Sequence, residues 1–275
     1  MKISVVIPVY NLEKYIGRAL DSIQRQTSAP DEVIIVDDGS QDSTLEIVRS
    51  YPFRVEIQSN QGPGAARNHG VSVATGDWIA FLDGDDFWEP DRIFALRMAE
   101  ASNPKAVLIA CNDFEGPLEG PWKKRELHLH YKPDRPIFRQ LYRGNFLATS
   151  SVAVKRDIFL EVGGMNPEYP SAQDFELWLW IVQMGSIEFI PKSLTRYVIR
   201  PGSISHNITK RLIFSLKIAD QYRIRVGKRL YLYRVMLCYY EAASAYMKQG
   251  QVFLAGKVSV RMPFAILSRI LRLGP

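Results

Sequence analysis

The sequence predicts an α/β fold built on a doubly wound, mostly parallel central sheet, and three observations carry that prediction. Short β-branched runs alternate with stretches of helical periodicity through the first hundred residues. Two acidic clusters, Asp37-Asp38-Gly39-Ser40 and Asp83-Gly84-Asp85-Asp86, each follow a run of buried-type residues, Val33–Val36 and Trp78–Leu82. Ligands of open α/β sheets bind beyond the carboxyl ends of the strands, where both clusters fall.

The elements follow in order. Ile3–Ile7 is a β-branched run closed by Pro8; Leu12, Tyr15, Ile16, Ala19, Leu20 and Ile23 then recur at helical spacing, with Asn11 placed as the cap. The unit repeats as Glu32–Val36 with Thr44–Val48, Val55–Gln58 with Ala65–Val73, and Trp78–Leu82 with Arg92–Ala101. The turn Pro8-Val9-Tyr10-Asn11 leaves its strand at the same end as the acidic clusters, so three segments converge on one crevice. Ala106–Cys111 reads as a strand, and Asn112 to Pro136, rich in Pro, Gly and charge, as an irregular excursion. Strand Ser150–Val154, the Gly163-Gly164 loop, a helix from Ala172 to Met184, and strands Ile187–Ile190 and Leu194–Val198 follow. From Thr209 helical periodicity mixed with Lys and Arg continues almost to the end.

At 275 residues, 47% of them hydrophobic, the chain can bury a substantial core, and disorder is not expected. Cys111 and Cys238 lie far apart with no Cys or His at ligand spacing, which reads as two reduced thiols in a cytosolic protein. The apolar start is too short for a signal-peptide core, and Arg261–Leu273 is interrupted by Arg269, so neither a leader nor a spanning helix is expected. Net charge is +6, unevenly spread. Residues 196–275 hold 15 Lys+Arg against 2 Asp+Glu, and residues 1–195 hold 20 against 27. An acidic body with a basic tail points to a polyanion for the tail: lipid head groups, nucleic acid or substrate phosphates.

Crowded carboxylates at a strand exit need a cation or hydrogen-bond donors nearby, and a nucleotide bound with a divalent metal supplies both. Asp83 and Asp85, one residue apart in an extended segment, point the same way and can share one ion. All-oxygen donors suit Mg²⁺ or Mn²⁺ bridging to phosphate. The plainer reading makes Asp83 and Asp86 turn and cap residues before a helix at Pro90. Asp37 and Asp38 fit turn chemistry with Ser40 as cap, or one of them accepts the ring N–H of a base. Gly62-Pro63-Gly64-Ala65-Ala66-Arg67 sets small residues at a helix start with Arg67 one turn in, an anion site or plain packing. Ser171-Ala172-Gln173-Asp174 fits a capping box. Trp178 and Trp180 read as packing residues, Trp180 on one face with Leu177 and Ile181. Arg200 and His206 are candidates for phosphate contact or an exposed loop pair.

In order and spacing over residues 1–205, these segments resemble glycosyltransferase family 2, the inverting nucleotide-sugar enzymes of GT-A fold. The resemblance rests on Val5-Val6-Ile7-Pro8-Val9-Tyr10-Asn11, Val36-Asp37-Asp38-Gly39-Ser40, Ala65-Ala66-Arg67-Asn68, Phe81-Leu82-Asp83-Gly84-Asp85-Asp86, Gly163-Gly164 and Gln173-Asp174-Phe175-Glu176-Leu177. It implies a Rossmann-like nucleotide-sugar-binding half over 1–111, an acceptor half over 112–205, and a basic helical extension over 206–275. It implies that Asp38 and the Pro8, Val9 and Tyr10 backbone hold the base, that Asp85, helped by Asp83, carries Mn²⁺ or Mg²⁺ on the diphosphate, and that Asp174 is the general base. Asn11, Asp37, Arg67, Gly84, Gly164 and Arg200 complete the expected donor site. Gln173 stands where the family usually has Glu, and Met165-Asn166 where it often has Phe-Asp.

The implied activity moves a single sugar, UDP-linked in the first expectation, onto an acceptor hydroxyl with inversion, in surface polysaccharide, lipopolysaccharide or glycolipid synthesis. The expected partners are a nucleotide-diphosphate sugar, a carbohydrate or lipid-linked acceptor and an anionic membrane surface under the basic helices. No nucleic acid is expected, and the expected location is cytoplasmic, with a peripheral place on the inner membrane face. The competing readings are a catalytically silent sugar-nucleotide-binding scaffold, hinted at by Gln173, and a nucleotidyltransferase, which lacks its Gly-rich loop here.

Overall fold

The computed structural model describes residues 1–200, 202–203 and 207–273, the last two by backbone alone. Its contacts divide the chain into two units, residues 1–133 with 146–200 and residues 134–145 with 201–275.

The first unit is a mixed α/β layer structure. Strands β1 (Ile3–Val9), β2 (Glu32–Asp37), β3 (Arg54–Ile57) and β4 (Trp78–Phe81) run parallel in the order β3-β2-β1-β4. Every residue of β1 is buried, as an unbroken Ile/Val run in a central parallel strand demands. Register pairs Val9 with Asp37 and Asp37 with Ile57, which brings the carboxyl ends of these strands to one edge. Helices α1 (Ile16–Gln24), α2 (Thr44–Arg49), α3 (Pro63–Val73) and α4 (Arg92–Ser102) form the crossovers.

The sheet continues through a half that is not parallel. Strand β8 (Val152–Lys155) lies antiparallel between β4 and β6 (Ala106–Gly116). Strand β9 (Ser186–Val198) runs parallel to β6, and β5 (Phe87–Trp88) and β7 (Lys123–Arg125) add antiparallel edges. The two strands expected over 187–190 and 194–198 are therefore one. The register slips from Cys111 and Ile190 to Asn112 and Ser193, so Pro191 and Lys192 are left unpaired. A proline has no N–H for the ladder, which is why the sequence there read as a break. The expected excursion after Cys111 is likewise ordered: β6 runs on to Gly116, and β7 and a 3-10 turn over Leu127–His130 follow. Helices α6 (Arg156–Glu161) and α7 (Gln173–Ile181) complete the unit.

The second unit is helical: α5 (Ile137–Arg143), α8 (Ile208–Gln221), α9 (Arg223–Val226), α10 (Lys228–Lys248) and α11 (Val252–Leu273). It takes in α5, which the sequence reading gave to the acceptor half. The rings of Phe138 and Tyr142 meet Tyr222 edge-on at 5.3 and 6.4 Å, and the Tyr142 hydroxyl donates to the Ala219 carbonyl at 2.9 Å. The two acids of the basic segment each hold an arginine of this unit. Asp220 accepts both Nε and Nη2 of Arg269 at 3.0 Å, and Glu241 lies 3.8 Å from buried Arg234. Burial pushes the Cys238 thiol up to about 11, and both cysteines are free and buried. No helix among the described residues is long and apolar enough to cross a membrane.

Candidate active site

The first turns at the sheet edge are stitched together by side chains. Asn11, in the left-handed region at φ 52°, accepts the Gln41 N–H at 2.8 Å and donates its own N–H to Ser40 Oγ at 3.1 Å. Neither residue is the helix cap the sequence suggested. No side chain caps α1, and the Thr44 N–H that opens α2 is taken by Asp42 Oδ1 at 3.0 Å. Pro8 and Val9 are buried in β1, the Val9 carbonyl accepts the Asp38 N–H at 2.9 Å, and Tyr10 beside them is 43% exposed.

Asp38 accepts three N–H groups of its own chain at 2.8 Å: Gln58 Nε2 and the Gln61 amide on Oδ1, and the Gly62 amide on Oδ2. It fixes the loop into α3 and keeps one acceptor position of a carboxylate's four. Its neighbour differs. Asp37 takes the Ser40 N–H on Oδ2 at 3.2 Å, while the buried Oδ1 has no hydrogen-bond partner among the described residues.

Beyond β4, residues 83–86 form a turn closed by the Asp86 N–H on the Asp83 carbonyl at 2.9 Å, not the extended segment expected. The carboxylates still gather: ligand oxygens of Asp83, Asp85 and Asp86 lie within 4.8 Å of one another. Asp83 pairs with Arg67, which reaches it from the first turns of α3. Asp85 pairs with Arg200 Nε at 2.6 Å, and that guanidinium also lies over the Tyr15 ring at 5.1 Å. Asp86 closes the turn through its backbone, while its buried side chain is spent internally, on Ser150 Oγ at 2.5 Å and the Val198 N–H at 2.8 Å, so it caps no helix. Gly84 has no room for a side chain, since a Cβ there would fall 2.8 Å from Leu12 and 2.9 Å from Val9.

Ser150 is a residue that sequence reasoning missed. Its hydroxyl also accepts the Asp83 N–H at 3.1 Å, and its carbonyl accepts Trp88 Nε1 at 2.8 Å and Thr195 Oγ1 at 3.2 Å. The acidic turn is thereby moored to the start of β8 and to β9. Only a serine heading an apolar strand marked this in the sequence, which is no signal by itself.

Burial raises the carboxyls of Asp85 and Asp86, with the neighbouring acids adding to it; Arg200 opposes the rise at Asp85, and Ser150 with the Val198 amide at Asp86. Hard oxygen donors clustered at this spacing fit Mg²⁺ or Mn²⁺, with one oxygen each of Asp83 and Asp85 outside the arginine pairs. A group protonated in the folded chain but ionised when unfolded costs stability as pH rises from about 4 through its raised folded value, by up to ~1.4 kcal/mol per unit and proton. Stability is therefore expected to fall across that window. The stabilisation given by Mn²⁺ should grow over the same range, because the ionised acids are what a cation binds. Melting temperatures against pH with and without Mn²⁺ check this, and parallel curves would leave the cluster without an ion.

Asp174 faces the same group of charges. It is the second residue of α7, whose start is Ala172 in the left-handed region at φ 61° with no side-chain cap, so the capping box is not formed. Its half-buried carboxylate accepts Thr149 Oγ1 at 3.4 Å. Burial raises its pKa from the ordinary carboxylate value, with the Asp83 charge adding to the rise and the Phe175 amide, Arg67 and Thr149 opposing it. Gln173 packs against the N-terminus of α3, where its side chain fills the space a Cβ on Gly64 would need.

The Gly163-Gly164 loop is locked to α3. Asn68 accepts the Met165 N–H at 2.9 Å and donates Nδ2 to the Met165 carbonyl at 2.7 Å. Gly164, at φ 71°, would set a Cβ 2.7 Å from Asn68 Oδ1, so glycine is required on two counts. Trp178 is buried against Phe81, ring centroids 6.2 Å apart, but Trp180 is 41% exposed and leaves the expected packing face. The structure thus brings Arg67, Asp83, Asp85, Arg200 and Asp174 together. His206 lies outside the described residues.

A family model described as glycosyl transferase family 2 matches residues 4–163, more than half of the chain. The chain belongs to that family. Among its glycosyltransferase relatives, the putative glycosyltransferase EpsH of Bacillus subtilis is 41% identical over 115 residues, 40% of this chain and 33% of EpsH. Glycosyltransferase GlyA of Streptococcus pneumoniae is 28% identical over 265 residues, 86% of this chain and 37% of GlyA. The chain spans about a third of the length of these two curated relatives. The crystal structure of S. aureus TarS 1-349 in complex with UDP-GlcNAc matches this glycosyltransferase with a TM-score of 0.68 at 17% identity, over 96% of this chain and 92% of TarS 1-349. The mannosyltransferase PcManGT from Pyrobaculum calidifontis, in complex with GDP-Man and Mn²⁺, matches with a TM-score of 0.65 at 19% identity, over 95% of this chain and 80% of that one. These likenesses are of fold, the mixed α/β architecture of GT-A type.

Proposed function

We propose that this glycosyltransferase moves a single sugar from a nucleotide-diphosphate sugar, with UDP as the carrier, to an acceptor hydroxyl with inversion at the anomeric carbon. The observation that carries the reading is the junction of Asp174 with the Arg67–Asp83 pair, which sets a proton acceptor beside the acidic cluster. An acceptor hydroxyl has a pKa far above neutral, so attack needs a carboxylate to take its proton as bonding develops. Asp174, made more basic than an ordinary carboxylate by burial, is that base. When bound by Asp85 and Asp83, Mn²⁺ or Mg²⁺ supplies electrostatic stabilisation of the departing diphosphate. Arg67 and Arg200 bring further positive charge to the same oxygens, and Gly84 lets the backbone of the turn come close.

For the base, the backbone of Pro8, Val9, Tyr10 and Asn11 forms one wall and the Asp37-Asp38 pair the acceptor side. Asp37 Oδ1 is unpaired but buried, so Asp38, with one lone pair left beside the turn, is the better suited of the two to a ring N–H. Gly164 keeps the Met165 loop tight against α3 on the acceptor side. The acceptor is a carbohydrate or a lipid-linked glycan of surface polysaccharide, lipopolysaccharide or glycolipid synthesis. The excess of Lys and Arg in the helical extension supports a peripheral site of action at an anionic membrane surface on the cytoplasmic face.

A thermal-shift panel of nucleotide sugars with Mn²⁺, read beside a coupled assay for released UDP, tests the reading. A rise in melting temperature specific to one donor together with UDP release in the presence of acceptor extracts is the expected result. A rise without release would identify a silent binding protein, and neither would end the proposal.

A further inference from the structure

Helix α11 carries an apolar stripe on its outer side. Phe253, Val260, Phe264, Leu267 and Leu271 are 55–81% exposed, and their spacing keeps them on one helix face. The opposite face is accounted for. Ala255 and Val258 pack with Ile208, Ala242 and Tyr246, and Arg269 is held by Asp220. Lys257 and Arg261, both exposed, lie along one edge of the stripe, and α11 contains no Asp or Glu. This helix turns large aliphatic and aromatic groups outward with cations, and no acids, along one edge.

Charge decides the occupant. The stripe's spacing would also suit a second copy of the helix, but self-pairing would leave Lys257 and Arg261 beside the seam with no carboxylate on either helix to answer them. An anionic bilayer answers both features, taking the apolar stripe below its headgroups and the cations at their phosphates.

We propose that α11 lies in the plane of an anionic membrane with Phe253, Val260, Phe264, Leu267 and Leu271 inserted to acyl-chain depth. This rests on the membrane-surface partner proposed above and names the helix face that meets it; it does not depend on the transfer chemistry.

Flotation of the full chain with phosphatidylglycerol-containing vesicles, against pure phosphatidylcholine vesicles, tests it. Wild type should float with the anionic vesicles. Phe264→Ser with Leu267→Ser should weaken binding on the order of 10-fold or more, and Lys257→Gln with Arg261→Gln should reduce it toward the level on neutral lipid. These side chains are exposed, so circular dichroism and melting should match wild type. No binding by wild type overturns both the membrane partner and the insertion. Binding that the serine pair leaves unchanged overturns the insertion while the membrane partner stands. A dimer in light scattering, lost in the serine pair while wild type fails to float, would show that the stripe is a protein interface.

Discussion

Asp174→Asn is expected to lower turnover by ~10² or more while leaving donor binding and the fold in place. An amide of the same shape can keep the contact with Thr149 Oγ1 and the start of α7, so packing should change little. It cannot accept the hydroxyl proton. Loss of one negative charge near Arg67 and Asp83 should leave donor affinity equal or slightly improved, because the diphosphate is itself anionic. Steady-state turnover and calorimetric UDP affinity, measured on both proteins, separate the two effects. Wild-type turnover in the variant would remove Asp174 from the mechanism.

Asp85→Ala is the second large effect. It removes an oxygen ligand from the acidic turn and leaves Arg200 without its 2.6 Å partner, while Asp83 remains tied to Arg67. Titration of UDP into both proteins, in Mn²⁺ and in chelator, should show a Mn²⁺-dependent gain in affinity for wild type and little or none for the variant. Turnover should fall by ~10² or more, since charge developing on the leaving diphosphate loses several kcal/mol of stabilisation. In chelator the variant is expected to hold UDP at least as well, because Arg200 is released toward the phosphates. Equal Mn²⁺-dependent gains would rule out Asp85 as a ligand.

Much of this arrangement is legible in the sequence, and the reasons differ by region. The parallel half is written in periodicity: a buried run such as Ile3–Val9 can only be a covered strand, and acids at its neighbours' ends mark the crevice. The mixed half is less readable because β8 joins by antiparallel pairing to strands distant in sequence, and because Pro191 interrupts β9 without ending it. Cap assignments at Asn11 and Ser40 failed because their short polar side chains serve contacts between loops, which local spacing cannot distinguish from capping, and the one at Ser171 because α7 starts from Ala172 in the left-handed region. Asp86 was visible as an acid but not as a buried one, and Ser150 acquires meaning only when the turn folds over it.

The mooring of the acidic turn by Ser150 bears on how such a protein diversifies. The acids are held by the Ser150 hydroxyl just before β8 and the Val198 amide of β9, not by the long connection that precedes Ser150. Sequence changes in that connection, outside α5 and Thr149, therefore leave untouched the contacts that hold the acids.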